Sequence, residues 1–194
     1  MTQLWLIRHG QTDWNVQRRW QGQSPNAPSI NALGVAQARA VADELADTPF
    51  DALYASDLPR AVETANIIAA RIGLPVQIDP RLREISQGDW EGLTPREISE
   101  RYPHDWRVRH AEDTISHRAP GGETPNEVGE RFLRAITEIA NRHAGGAVVI
   151  VSHGFVIGTL LAHAQGLPFG RARELVPDNA HPHVLEWPLK GEGY

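Results

Sequence analysis

The 194-residue chain contains no cysteine. That excludes disulfide frameworks, thiolate zinc sites and thiol nucleophiles, the cysteine-based phosphatases included. Lysine is nearly missing as well, with 18 arginines against the single Lys190. A Walker-A lysine is thereby excluded, and a Schiff-base lysine so close to the end is not expected. Most of the arginine excess reads as codon bias. No G-x-G-x-x-G, G-x-S-x-G or H-E-x-x-H occurs, so the usual dinucleotide, serine-hydrolase and zincin signatures are lacking. No apolar run reaches the roughly 18 residues of a membrane span, and Met1-Thr2-Gln3-Leu4-Trp5-Leu6-Ile7 has no basic leader segment. A cytoplasmic protein is expected. Net positive charge is lacking too: the balance is −5 with a pI near 6.0, which speaks against nucleic-acid or membrane partners bound through a broad positive field. Any anionic ligand must be held by a local cluster.

What is present is an ordinary globular composition, 41% hydrophobic and 22% charged. The length fits one compact domain over residues 1–194 with an inserted cap. Apolar periodicity alternates strands and helices, the pattern of an α/β sandwich with a mostly parallel sheet. Strands are expected at Leu4–Ile7, Ala52–Ala55, Val76–Ile78 and Ala147–Val151, with an edge strand at Val184–Trp187. Asn31 can cap a helix that buries Ala38, Val41 and Leu45. The next helix places Leu58, Val62, Ala65, Ala69 and Ile72 on one stripe and ends at Gly73. Thr124-Pro125-Asn126-Glu127 opens a long helix as cap, first-position proline and capping-box glutamate, with Val128, Phe132, Ala135 and Ile139 facing inward. Phe155–Ala162 reads as a buried helix.

Residues 94–120 interrupt this alternation with five arginines, three histidines, Tyr102 and Trp106 among helix fragments. Two readings stay open for this cap-like insertion: a solvated excursion, or a substrate-covering element. His181 and His183 share a strand face but lack an evident third metal ligand, so a surface pair is expected, as for His104, His110 and His117. Trp14, Trp20, Trp90 and Trp106 are expected near the pocket mouth, and Asn179 reads as a turn residue or a support of the site.

Three strands run directly into polar residues: Arg8-His9-Gly10, Ser56-Asp57-Leu58-Pro59-Arg60 and Ser152-His153-Gly154. In a parallel sheet these ends share one edge, where open α/β sheets bind ligands. Two arginines and two histidines gathered there suit a phosphoryl group, because guanidinium forks match phosphate oxygens and stay charged. Gly10 and Gly154 would let backbone N–H groups approach the anion, and the helix after Gly154 would aim its positive end at it. A histidine among cations is held neutral and is therefore a nucleophile. Residue chemistry leaves open which histidine attacks, with His9 favoured by its place after a strand and beside Arg8. Glu84, in Leu82-Arg83-Glu84-Ile85, is the candidate proton donor and base; the alternative is a structural glutamate paired with arginine.

These residues, with Asn15, Arg19-Trp20-Gln21-Gly22, Gly34, Gln37-Ala38, Thr64-Ala65, Gly88, Trp90-Glu91-Gly92 and Pro120-Gly121-Gly122-Glu123 in order, resemble the histidine phosphatases, the phosphoglycerate-mutase-like superfamily. The resemblance runs over nearly the whole chain. It implies a three-layer α/β/α sandwich with a mixed sheet. It further implies His9 as phosphorylated nucleophile, Glu84 as proton donor and later base, and Arg8, Arg60 and His153 as the phosphate pocket. Asn15, Gln21 and Gly22 match pocket-lining positions, and Gly154 backs the pocket. No metal and no cofactor are implied. Gln11 stands where glutamate is common, and Asn26-Ala27-Pro28-Ser29-Ile30-Asn31 replaces the family's D-x-P-L-T stretch.

The expected substrate is a small phosphomonoester, such as a phosphosugar, a phosphorylated carboxylic acid or a ribazole phosphate. Family mutases carry a longer cap than the 36 residues from Ile85 to Pro120, which favours a phosphatase over a phosphoglycerate mutase. A phosphate-binding regulatory protein would be expected to lack the nucleophile or the acid, and neither is missing. A homo-oligomer is compatible with the sequence.

Overall fold

Alternation along the first strand sets the layering. In the computed structural model, which describes residues 1–109 and 117–189, β1 (Thr2–Arg8) sends Leu4 and Leu6 to one face and Trp5 and Ile7 to the other. The other strands are β2 (Ala52–Ala55), β3 (Val76–Ile78), β4 (Ala147–Ser152) and β5 (Pro182–Trp187). They form one sheet in the order β3-β2-β4-β1-β5, parallel except for antiparallel β5. The uninterrupted apolar run of β4 lies at its centre, covered on both faces, as such runs require.

Helices α1 (Asp13–Val16), α2 (Ala32–Leu45) and α3 (Pro59–Ile72) follow in sequence. Val41, Leu45, Ala61, Ala65 and Ile68 of α2 and α3 pack on Ile7, Leu53, Val149 and Val151. On the opposite face, α6 (Pro125–Arg142) and α7 (Gly154–Ala164) bring Phe132, Ile136, Val156 and Leu160 against Leu4, Leu6, Val148 and Ile150. The result is a three-layer α/β/α sandwich with a mixed, mostly parallel sheet.

The caps read from sequence are present. The Asn31 side chain accepts the Gly34 N–H, and Thr124 and Glu127 close a reciprocal capping box around the start of α6. Gly73 ends α3 in the left-handed conformation that suits glycine. The α3 stripe differs from expectation. Its buried side is Arg60, Ala61, Thr64, Ala65 and Ile68, while Val62 is only half-buried. The helix is rotated so that two polar side chains turn inward toward the strand ends, and apolar periodicity does not register buried polar residues.

Residues 94–109 form two short helices, α4 (Pro95–Arg101) and α5 (Pro103–Arg109). With Trp20, Leu93, Tyr102 and Trp106 they cover a separate small cluster around Trp90, Ile98 and Ala119. Among the described residues no helix is long and apolar enough to cross a membrane. His110 and Lys190 lie outside the described residues.

Candidate active site

The parallel register carries on past the strand ends and locks three loops together. The His9 N–H donates to the Ser152 carbonyl at 2.9 Å, and the Ser56 N–H donates to the Val151 carbonyl at 3.0 Å. His9, His153 and Arg60 are thereby buried side by side, each no more than 3% exposed. The two imidazole centroids lie 5.2 Å apart.

The hydrogen bonds around His9 fix its tautomer. Nδ1 sits 2.8 Å from the Gly10 carbonyl, which can only accept, so Nδ1 carries the proton. Nε2 then presents a lone pair, which accepts from Arg60 Nε at 3.2 Å. Burial first, then the charges of Arg60 and Arg8, hold the His9 pKa well below the ordinary histidine value. His153 is shifted the same way, by burial and then by Arg60, His9 and Arg8. Its Nε2 pairs with Ser56 Oγ at 2.8 Å, while its Nδ1 is buried with no partner among the described residues.

Both arginines are held by backbone carbonyls rather than carboxylates. Arg60 donates from Nη2 to the Gly22 carbonyl at 2.8 Å, and Arg8 donates from Nη1 to the Pro177 carbonyl at 2.8 Å. Arg8 Nε is buried without a partner among the described residues. Burial draws the Arg60 pKa down to about 10, with Glu84 and Glu91 opposing, so the group is still cationic at neutral pH. A Cβ on Gly154 would stand 2.8 Å from Val176 Cγ1 and 3.2 Å from Arg8 Nε. Only a bare backbone lets α7 begin beside that guanidinium. Gly22 has φ +48°, and a side chain there would collide with the Glu91 carboxylate.

Glu84 reaches the same place from the loop after β3. Its carboxylate accepts the N–H groups of Phe155 at 3.0 Å, Val156 at 3.1 Å and Ile85 at 3.0 Å. The anion at the start of α7 is therefore the protein's own, which corrects the expectation that this helix end is left open for a ligand. It also replaces the arginine-paired alternative. The loop carrying Glu84 is braced by a network not foreseen from sequence. Arg131 donates to the carbonyls of Arg81 and Arg83 at 2.7 and 3.0 Å, and Gln23 Nε2 donates to the Glu84 carbonyl at 2.9 Å. Glu123 holds Arg131 at 2.9 Å and accepts the Ser86 N–H at 2.8 Å.

A cavity of about 200 Å³ opens over these groups. Arg8, His9, Arg60 and Glu84 line it, as do Asn15, Gln21, Gly22 and Gly154. His153 is fully buried against His9 and does not line it. The Gln21 amide oxygen is buried without a partner among the described residues, and the Asn15 Oδ1 closes the capping box of α1 with Thr12. Gly10 differs from expectation, because its N–H donates to Thr64 Oγ1 at 3.0 Å and its missing side chain accommodates the Gly34 backbone. Asn179 is a support: its Nδ2 donates to the His9 carbonyl at 2.8 Å. Of the four tryptophans expected at the mouth, Trp20 lines the cavity; Trp90 is fully buried, and Trp106 packs with them. Trp14 packs by Gly92. The His181 and His183 rings lie 5.4 Å apart, and among the described residues no group of three or more acidic or imidazole side chains is arranged to hold a metal ion.

The chain is 38% identical over 180 residues to a probable phosphoglycerate mutase GpmB of Yersinia pestis, covering 90% of this chain and 80% of that one. The solved structure of Bacillus stearothermophilus YhfR superimposes with a TM-score of 0.86 at 34% identity, over 96% of this chain and 91% of that chain. A mycobacterial glucosyl-3-phosphoglycerate phosphatase, solved in complex with VO3, gives a TM-score of 0.83 at 33% identity, over 95% and 90% of the two chains. The family model of the histidine phosphatase superfamily (branch 1) matches residues 4–192. With that match spanning nearly the whole sequence, and with the fold and ordered motifs already described, the chain belongs to the histidine phosphatase superfamily.

Proposed function

We propose that the protein is a metal-independent phosphatase that hydrolyses a small phosphomonoester through a phosphohistidine at His9. The observation that carries this reading is the neutral, buried imidazole whose Nε2 lone pair faces Arg60 at 3.2 Å on the wall of the cavity. An incoming phosphoryl group takes over the Arg60 donors and brings phosphorus to Nε2. Arg8 Nε, on that wall and with no partner among the described residues, is suited to its oxygens, while His153 backs His9. The Gln21 amide, whose oxygen and nitrogen are interchangeable by a flip, supplies a further donor.

In the first step the N–P bond forms as the P–O bond to the leaving alkoxide breaks. The Glu84 carboxylate passes to that oxygen the proton that the phosphoryl monoanion carries in, and the alcohol departs. In the second step the Glu84 carboxylate takes a proton from water, whose oxygen attacks phosphorus; the N–P bond breaks, and inorganic phosphate leaves with His9 neutral again. Hydrogen bonds from Phe155 and Val156 to Glu84 hold its two oxygens at the cavity wall in both steps.

The test is phosphate release from p-nitrophenyl phosphate in the presence of chelator, with a denaturing alkaline quench to trap the phosphohistidine, whose N–P bond is lost in acid. No release by folded protein would overturn the reading. The 38% identity to the GpmB sequence favours a second reading, a phosphoglycerate mutase using the same phosphohistidine. Incubation with 3-phosphoglycerate and its bisphosphate separates the two: 2-phosphoglycerate forming faster than free phosphate would establish the mutase.

A further inference from the structure

Arg109, the last residue of α5, places a charged side chain where water is largely excluded, being 8% exposed. Its guanidinium carbon lies over the ring of Trp20 at 5.8 Å and over that of Phe155 at 5.5 Å. Arg173, in the 3-10 helix Phe169–Glu174 that follows α7, stands beside it and donates from Nη1 to the Arg109 carbonyl at 3.3 Å. Among the described residues neither side chain forms an ion pair with a carboxylate. Burial first, and then the neighbouring Arg173 charge, lower the Arg109 pKa to about 10, so the Arg109 guanidinium remains cationic at neutral pH. Burying the Arg109 charge beside the exposed Arg173 guanidinium is unfavourable unless an anion joins them.

There is room for that anion. A cavity of about 210 Å³ is lined by Trp20, Gln87, Arg109, Phe155 and Arg173. Trp20, Gln87 and Phe155 also line the cavity over His9, so the two spaces share walls. We infer that Arg109 and Arg173 form an anion subsite adjoining the phosphoryl site, and that the substrate is a phosphomonoester carrying a second anionic group, a carboxylate or another phosphate. This rests on the phosphatase reading of His9 and narrows it to a substrate class. Trp20 and Phe155 give Arg109 a fixed plane, and Arg173 adds a charge from a different element, the combination that bidentate recognition of a planar or tetrahedral anion requires.

The test compares 3-phosphoglycerate, 1,3-propanediol bisphosphate and glycerol 3-phosphate, which offer a second carboxylate, a second phosphate and a neutral hydroxymethyl group. At least one doubly anionic substrate should exceed glycerol 3-phosphate in kcat/KM by about ten- to a hundredfold, and the larger factor identifies the group. Arg109→Met, which keeps the stem between the two rings, and Arg173→Gln, at an exposed position, should each shrink that ratio severalfold or more. A wild-type ratio near one, or a ratio unchanged in both variants, overturns the subsite while leaving the phosphatase reading in place. If no phosphate is released from any ester, the phosphatase reading fails instead. The subsite then stands or falls on calorimetric affinities of the same three ligands for His9→Ala, with and without Arg109→Met.

Discussion

The floor of the cavity and its mouth are held by different forces. On the floor, the main chain around Arg8 and His9 is tied on every side: His9 N–H to Ser152, Gly10 N–H to Thr64, and the carbonyls of Arg8 and His9 to Ala180 N–H and Asn179. At the mouth, side chains pack on side chains. Trp20 meets Trp90 at 5.4 Å and Trp106 at 6.3 Å between centroids, and Arg19 pairs with Glu97 while both are about one-third exposed. A network of directional bonds has one good arrangement, whereas a cluster of rings and surface ions tolerates several. On the proposed function, chemistry belongs to the part that cannot adjust, and choice of substrate to the part that can.

Replacing the proposed nucleophile should break this contrast most severely. His9→Ala should abolish both covalent labelling by an aryl phosphate and turnover, with circular dichroism unchanged; residual labelling at another histidine would refute the assignment. Glu84→Gln should slow alkyl phosphates by about 10²–10⁴ and aryl phosphates far less, because only poor leaving groups need the proton. An equal loss on both classes would make Glu84 a structural residue.

Acid titration sharpens the same point. His9 and His153 are buried neutral, with pKa values well below the unfolded value. From about pH 6.5 downward, the unfolded chain binds protons that the folded chain refuses, so stability falls as pH falls. Together the two rings contribute a limiting slope of about 2.7 kcal/mol per pH unit. Denaturant unfolding of His153→Gln across that window should show about half this contribution; an unchanged slope would mean the ring is not held neutral.

Arg131→Met releases the loop that carries Glu84 without touching the carboxylate. It should lower kcat by up to about 10² and reproduce the leaving-group dependence of Glu84→Gln. A loss independent of leaving group would separate the network from proton transfer. The smallest effect on rate is expected at the mouth. Ile98→Ala empties part of the cluster around Trp90 and should cost about 2–5 kcal/mol of local or global stability. It should reorder the preference among large substrates, while kcat for p-nitrophenyl phosphate changes less than in Arg131→Met.

The cavity floor was largely legible because strand ends are legible: an apolar run that stops at Arg8-His9 or Ser152-His153 marks a chain leaving the core with polar residues at a known sheet edge. Contacts between distant loops were not. Glu84 meets the Phe155 N–H across 71 positions, and no local pattern tells that its carboxylate caps α7. Likewise, Gly10 looked like an anion-binding glycine, but its N–H is used by Thr64. The inward turn of Arg60 and Thr64 escaped the periodicity of α3 because only apolar residues count in that pattern. Arg109 was one of five arginines in a charged segment; nothing local distinguishes the one that packs on two rings from those that face solvent.

The supports of Arg8 and His9 come from about 170 positions further along the chain, in the Pro177 carbonyl, the Asn179 amide and the Ala180 N–H. During synthesis the proposed nucleophile leaves the ribosome about 170 positions ahead of these braces. On the proposed function, a chain stopped after His153 would hold the full reactive set without these braces and should be inert, so phosphoester cleavage would report that translation has passed Ala180.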